Sequence, residues 1–157
     1  MKKLSLATIA FLQFAAFGAD AAMTAKQTVE KEIVVRNANG AETVTRAPAD
    51  KVTPGETVIY SIKYRNDSGE AASDIVLVMP VPKEVAYVEG SVTGGDTSVA
   101  FSADGGKTYV ARGRLTVEEG GTTRPARGDE ITHIRWTLAA PVPPGDSGEV
   151  SYKAILK

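Results

Sequence analysis

The chain has 157 residues, 43% apolar, 24% charged and 6% aromatic, a balance that fits one globular domain and excludes a disordered or collagen-like chain. Its 18 Lys and Arg against 19 Asp and Glu leave a net charge of −1, which offers no general attraction for nucleic acid or for an anionic membrane. There is no cysteine and His133 is the single histidine, so disulfides, thiolate nucleophiles, Cys-ligated metals and multi-histidine metal sites are excluded.

The first segment reads as an export signal. Lys2 and Lys3 precede an apolar run from Leu4 to Phe17, and small residues follow at Gly18, Ala19, Ala21 and Ala22, the order of a secretory signal peptide. The run is shorter than the roughly 20 residues that span a bilayer, and Ala19-Asp20-Ala21 has the small-x-small form that a signal peptidase accepts. A signal peptide over 1–22, cleaved after Ala21 or Ala22, and one domain over 23–157 are therefore expected. Removal of Lys2, Lys3 and Asp20 leaves 16 basic and 18 acidic residues, a net of −2. The processed chain is expected to be soluble, with no transmembrane anchor, and to be stabilised by its core alone.

After Ala22 the apolar pattern has a period of two, which predicts strands. In chain order these are Val29 to Arg36, Glu42 to Arg46, Thr57 to Arg65, Asp74 to Met79, Val85 to Val92, Ser98 to Ser102, Thr108 to Ala111, Arg114 to Val117, Thr132 to Leu138 and Glu149 to Leu156. Val58, Tyr60, Ile62 and Tyr64 share one face of their strand, opposite Ser61, Lys63 and Arg65. Ile134, Trp136 and Leu138 do the same opposite His133 and Arg135, as do Val150, Tyr152, Ala154 and Leu156. Asn39-Gly40 predicts a two-residue hairpin with positive φ at both positions. Asp104-Gly105-Gly106 predicts another. Pro54-Gly55 and Pro144-Gly145 each precede an acid and a hydroxyl residue and then a strand, one device used twice. Met79-Pro80-Val81-Pro82 and Pro141-Val142-Pro143-Pro144 lack the amide donors that a ladder needs, so they belong at strand ends or edges. The longest irregular stretch is Arg112 to Glu130, where four arginines balance Glu118, Glu119, Asp129 and Glu130. It reads as a solvated loop in preference to an anion- or glycan-contacting one. The expected fold is an all-β, immunoglobulin-like antiparallel sandwich.

Residues Val52 to Gly69 resemble the opening of the bacterial "domain of unknown function 11" family. Asp74 to Pro82, Tyr87 to Ser91, Phe101 to Tyr109, and Thr132 to Leu138 followed by Pro144-Gly145 fit the same pattern. The resemblance implies an immunoglobulin-like sandwich of bacterial envelope and surface proteins, here as a small exported single-domain member, and it carries no activity to transfer. Tandem members of that family are often anchored, whereas this chain has one copy, which weakens a spacer role. Ser102 to Tyr109 also resembles the Asp-box of β-propellers, in which the aspartate ties a turn together. One copy cannot make a propeller, so Asp104 is expected to stabilise its turn. Asn66 is expected to cap its strand by bonding nearby backbone; a lysine–asparagine cross-link is disfavoured because Lys63 lies on the polar face.

No catalytic residue, cofactor or metal ligand is assigned. Glu118-Glu119 and Asp129-Glu130 are neighbours in a loop, which does not make them converge on a substrate. His133 is expected on the surface beside Arg135. Asp96, Asp104 and Asp129 lack the spacing of a calcium loop. The function expected is therefore a non-catalytic structural or protein-interaction module of the cell envelope, periplasmic or secreted. Its partner would be another envelope protein, met through a sheet face or a strand edge such as Val29 to Arg36, and no oligomeric state follows. The alternatives are a carbohydrate-binding module, which would need outward aromatics, and an envelope hydrolase, which would need His133 joined to two carboxylates in a pocket.

Overall fold

The computed structural model describes residues 23–157, so the expected signal peptide lies outside the described residues. The strands are β1 (Met23–Arg36), β2 (Glu42–Pro48), β3 (Thr57–Asn66), β4 (Val76–Pro80), β5 (Val85–Tyr87), β6 (Thr97–Ser102), β7 (Thr116–Glu119), β8 (Thr122–Pro125), β9 (His133–Leu138) and β10 (Ser147–Leu156), with two short 3-10 turns at Arg112–Arg114 and Gly128–Glu130. They form a five-stranded sheet, β2-β1-β3-β10-β5, a three-stranded sheet, β4-β9-β6, and the ribbon β7-β8. Every pairing is antiparallel. The fold is thus all-β and fits a sandwich.

The centre of the larger sheet is the β3–β10 ladder, in which Tyr60 stands opposite Tyr152 and Ile62 opposite Val150. The Pro-Gly device closes this ladder at both ends. Gly55 donates its N–H to the Leu156 carbonyl at 2.8 Å, and Gly145 donates to the Asn66 carbonyl at 2.8 Å. Each turn therefore opens one strand and holds the end of the other. Both glycines have positive φ, 91° and 80°, a conformation that a Cβ would strain.

The two sheets meet over one apolar core. Val58, Tyr60, Ile62, Val150, Tyr152, Ala154 and Leu156 come from the large sheet, and Leu77, Met79, Phe101, Ile134 and Trp136 from the small one. Tyr60 and Tyr152 stack at 5.1 Å between centroids, and Tyr87 meets Phe101 edge-on at 5.4 Å. Such aromatic pairs add about 0.5–1.5 kcal/mol beyond the area they bury. Polar atoms are treated unequally. The Tyr152 hydroxyl donates to the Pro80 carbonyl at 2.8 Å and the Trp136 indole N–H to the Thr93 carbonyl at 3.0 Å, whereas the buried Tyr60 hydroxyl has no partner.

Several expectations are corrected. β1 starts at Met23, six residues before the predicted Val29, because its inward positions there are Ala25 and Gln27, too small or too polar to register as an apolar face. Asn39-Gly40 is not a two-residue turn: Gly40 N–H bonds Asn37 C=O, Asn37 N–H bonds Ala41 C=O, and only Gly40 has positive φ. The loop is a type I turn followed by a left-handed glycine. The segment predicted as Val85 to Val92 keeps ladder pairing only to Tyr87, then bends at Gly90 (φ 72°) and returns at Thr93 to pair Ser151. The predicted strand Thr108 to Ala111 is reduced to one bridge, Val110 with Phe101. Ser61, expected on a polar face, is fully buried together with Ile59. Arg46 reaches across the sheet to Glu149 at 3.1 Å, Lys63 lies 3.8 Å from the same carboxylate, and Lys153 pairs Glu32. These long side chains roof the outer face with their stems, as amphipathic cations do.

The unequal tyrosines give a prediction. Tyr152→Phe strips the Pro80 carbonyl of its donor and is expected to cost about 1–3 kcal/mol, while Tyr60→Phe is expected to be neutral or stabilising; urea unfolding monitored by Trp136 fluorescence separates the two. Desolvation, with the Glu84 charge adding to it, pushes the Tyr60 hydroxyl up from 10.0 to about 12. A raised tyrosine contributes stability that is fully present below pH 10.0 and is lost as pH climbs toward about 12, so stability should fall across that window and fall less steeply in Tyr60→Phe.

Candidate functional site

The residues that carried the chemical alternatives are engaged in holding turns. Asp104 accepts from the backbone N–H groups of Lys107 and Thr108 at 3.1 and 3.0 Å and from the hydroxyls of Ser102 and Thr108, both at 2.7 Å. Those donors, Thr108 foremost, hold its carboxyl well below the usual carboxylate range. Asn66 is fully buried; its amide donates to the carbonyls of Glu70 and Val142 at 2.7 and 2.8 Å while its oxygen accepts from Ser68. It thereby ties the loop after β3 to the loop before β10, a longer reach than the expected local cap.

Arg112 to Glu130 is not an irregular loop. Gly120 and Gly121 both have positive φ, 60° and 79°, and close β7 onto β8 as a two-residue hairpin. Arg124 bonds Glu130 through both terminal nitrogens, at 2.8 and 2.7 Å, and Glu119 through Nε at 2.5 Å. The fork geometry of a guanidinium suits such bidentate pairing. Arg112 bonds Glu89 and the Ala126 carbonyl, so the ribbon is fastened to the body of the sandwich. Glu118 is taken up by Thr123, Glu119 and Glu130 by Arg124, and Asp129 by Arg127 at 3.5 Å. The signal for the ribbon was present in the sequence as Gly-Gly between Thr-Val-Glu-Glu and Thr-Thr-Arg-Pro.

His133 is half-buried, not a surface histidine. The Asp104 turn closes over it: a Cβ built at Gly106 would lie 3.4 Å from the ring and 3.0 Å from the Tyr109 hydroxyl. Its Nδ1 has no partner, and desolvation pushes its pKa down despite the opposing charge of Asp104. Beside it the Arg135 guanidinium lies 4.4 Å from the Tyr109 ring centroid. Among the described residues no three His, Asp or Glu side chains gather where they could hold a metal ion. Tyr60, Tyr87, Phe101, Trp136 and Tyr152 are buried; the half-exposed aromatics are Tyr109 and Tyr64, whose hydroxyl would lie 2.3 Å from a Cβ added at Gly148.

The feature that stands apart from this packed body is the β1–β2 ribbon. β3 pairs β1 only as far as Lys31, yet β1 and β2 stay paired out to Arg36 and Glu42. The outer half of the ribbon therefore projects beyond the sheet. At its middle Val34 stands opposite Val44, 62% and 60% exposed, and Val35 is 46% exposed. The flanks are charged: Arg36 faces and pairs Glu42, and Glu32 faces Arg46. The edge named from the sequence, Val29 to Arg36, is thus covered by β2 along most of its length, and β2 is the strand at the margin of the sheet.

Bonds in an antiparallel ladder alternate between paired and outward-facing residues. The bonds Asn37 N–H to Ala41 C=O and Ala49 N–H to Val29 C=O fix the phase. Thr43, Thr45 and Ala47 spend their backbone groups on β1, and Glu42, Val44 and Arg46 direct theirs to the open edge. No family model matches the chain, and no curated protein or solved structure matches it.

The β7–β8 ribbon carries its own acid dependence. Arg124 first, then the Arg127 backbone N–H, hold Glu130 down from 4.5 to about 2. A lowered carboxylate stabilises above pH 4.5 and loses that contribution as pH falls through about 2. Amide protection in β7 and β8 should persist through mildly acid pH and fall over that window, and Glu130→Gln should abolish the dependence while lowering protection at neutral pH; hydrogen exchange followed by NMR reads both.

Proposed function

We propose that the protein is an exported, non-catalytic structural or protein-interaction module of a bacterial cell envelope. In this reading residues 1–22 direct export and are removed after Ala21 or Ala22, and the domain acts in the periplasm or outside the cell. The resemblance of Val52 to Gly69 and the later stretches supplies the finer assignment of the sandwich as immunoglobulin-like and of the domain-of-unknown-function-11 kind.

The observation that carries the reading is the projecting β1–β2 ribbon. An edge whose N–H and C=O groups face solvent is a template for another strand, and adding a strand supplies main-chain bonds for affinity and side-chain pockets for specificity. Val34 and Val44 provide an apolar centre for such contact, and the charged flanks keep the free ribbon soluble. The partner in this reading is another envelope protein that presents a strand to β2.

A photocrosslinking residue at Val44 should capture a discrete partner in the native envelope, and one at Ser98 on the small sheet should not. Val44→Pro removes an outward N–H without touching the ladder to β1, so it should leave unfolding unchanged within about 1 kcal/mol and abolish strand addition at the edge. Equal capture from Ser98, or capture at the ribbon that survives Val44→Pro, would count against docking at this edge.

A further inference from the structure

We infer that β2 pairs with β2 of a second copy of this chain, closing a two-fold dimer through the open edge. The inference rests on the strand-edge reading above and takes the envelope protein that presents its strand to β2 to be a second copy of this chain.

The argument is one of register. Read outward from Val44, the strand is Glu42-Thr43-Val44-Thr45-Arg46, which is self-complementary when reversed. In an antiparallel pairing centred on Val44, Val44 meets Val44 of the second copy, each Thr43 meets a Thr45, and each Glu42 meets an Arg46. Opposite charges and threonine pairs are favoured cross-strand neighbours. The same register satisfies the backbone. Glu42, Val44 and Arg46 are the residues whose N–H and C=O face the edge, and they are the ones this register sets opposite one another, so each pair exchanges both bonds.

The pattern extends to the inner strands. Because Glu32 faces Arg46 and Arg36 faces Glu42, one row across the four strands reads Glu32, Arg46, Glu42, Arg36. The row on the other side of the axis is its reverse. Each charge then has an opposite charge on either side. Between them lies a continuous row of Val34, Val44, Val44 and Val34, which covers the two most exposed large apolar side chains, 62% and 60% open in the single chain. A register slipped by two residues sets Val44 against a charged residue and breaks the rows. Arg46 has capacity for the added carboxylate, since it contacts Glu149 at 3.1 Å and Glu30 at 3.8 Å with its side chain still 44% exposed.

Pro48 stops the ladder. It faces Glu30 in the ribbon, so its backbone position is one that would point outward, and it has no N–H to give. The pairing is confined to the projecting part. On the ribbon's other side Lys31 is the last residue of β1 that pairs β3, and its Nζ bonds the Lys51 carbonyl at 2.8 Å.

The chain has no cysteine, which makes thiol trapping specific. In the protein expressed from its full-length gene, Val44→Cys should form a covalent dimer on mild oxidation, and Val34→Cys, one strand further from the axis in each copy, should not. Sedimentation velocity should show a reversible, concentration-dependent dimer that Glu42→Arg and Arg46→Glu each abolish. Mixing the two variants should restore association, because a chain with two cations at these positions meets a chain with two anions. A chain that stays monomeric from micromolar to millimolar concentration overturns the self-pairing, as does a dimer indifferent to both reversals or trapped equally from Val34→Cys. If self-association is absent while ribbon capture in the envelope still depends on Val44, the second copy is the wrong occupant and the edge reading survives; loss of both removes the edge reading as well.

Discussion

The structure depends on the β3–β10 ladder. These two ten-residue strands sit side by side in the larger sheet, and their inward faces supply Tyr60, Ile62, Val150 and Tyr152 to the core. Long-range antiparallel pairing is entropically costly to close, and here the closing contacts are duplicated. The turn that opens each strand captures the carbonyl at the end of the other, through Gly55 and Gly145, so the ladder cannot slip by one residue without breaking both clamps. A one-residue slip would also turn every core side chain outward. The repeated Pro-Gly-acid-hydroxyl sequence is therefore a register device, and the apparent repeat reflects the local two-fold symmetry of one antiparallel pair.

From that ladder the remaining layers follow in order. The small sheet docks on it through Leu77, Met79, Ile134 and Trp136, with the Tyr152 hydroxyl reaching the Pro80 carbonyl and the Trp136 indole reaching the Thr93 carbonyl. Those two bonds join opposite sheets, which fixes their relative position more sharply than non-directional burial does. On the far side, Ile59 and Ser61 lie under the ion pairs of Arg46, Glu149, Lys153 and Glu32. The individual pairs are half-exposed and each contributes little. Their effect is to cover the central strand, and Arg46 also binds the root of the projecting ribbon to the body.

The parts legible in the sequence are those whose evidence is local. β3, β9 and β10 carry large apolar residues at every second position, and their inward faces are as the alternation indicates. The roles of Asp104 and the proline-rich strand ends were equally readable, since each depends on residues within a few positions. What was hidden depends on distance. Ser61 is buried in the central strand between Thr28 of β1 and Ser151 of β10, and no local window contains all three. The first turns of β1 were missed because Ala25 and Gln27 face the core in place of bulkier residues. The β7–β8 ribbon was obscured by its charge, which suggested solvation but is spent within the ribbon and its neighbours through Arg124 and Arg112. Which strand forms the margin cannot be read from one strand at all, since it is a property of the pairing order.

That order also bears on how the molecule treats its edges. Open margins invite uncontrolled association, and sandwiches blunt them. At the opposite end of the large sheet β5 has three residues, and Lys157 bonds Glu84 beside it. In the small sheet β4 ends in Pro80, and Val110 covers β6 by pairing Phe101. Among the described residues β2 is the margin with seven paired residues and no cover. An edge kept from pairing is expected to carry a pattern hostile to itself. Here the exposed groups are complementary under a two-fold rotation, and Pro48 ends the match. An isologous contact consumes the edge of both copies and leaves none for a third, so an edge of this composition is compatible with a closed pair and resists growth into fibres.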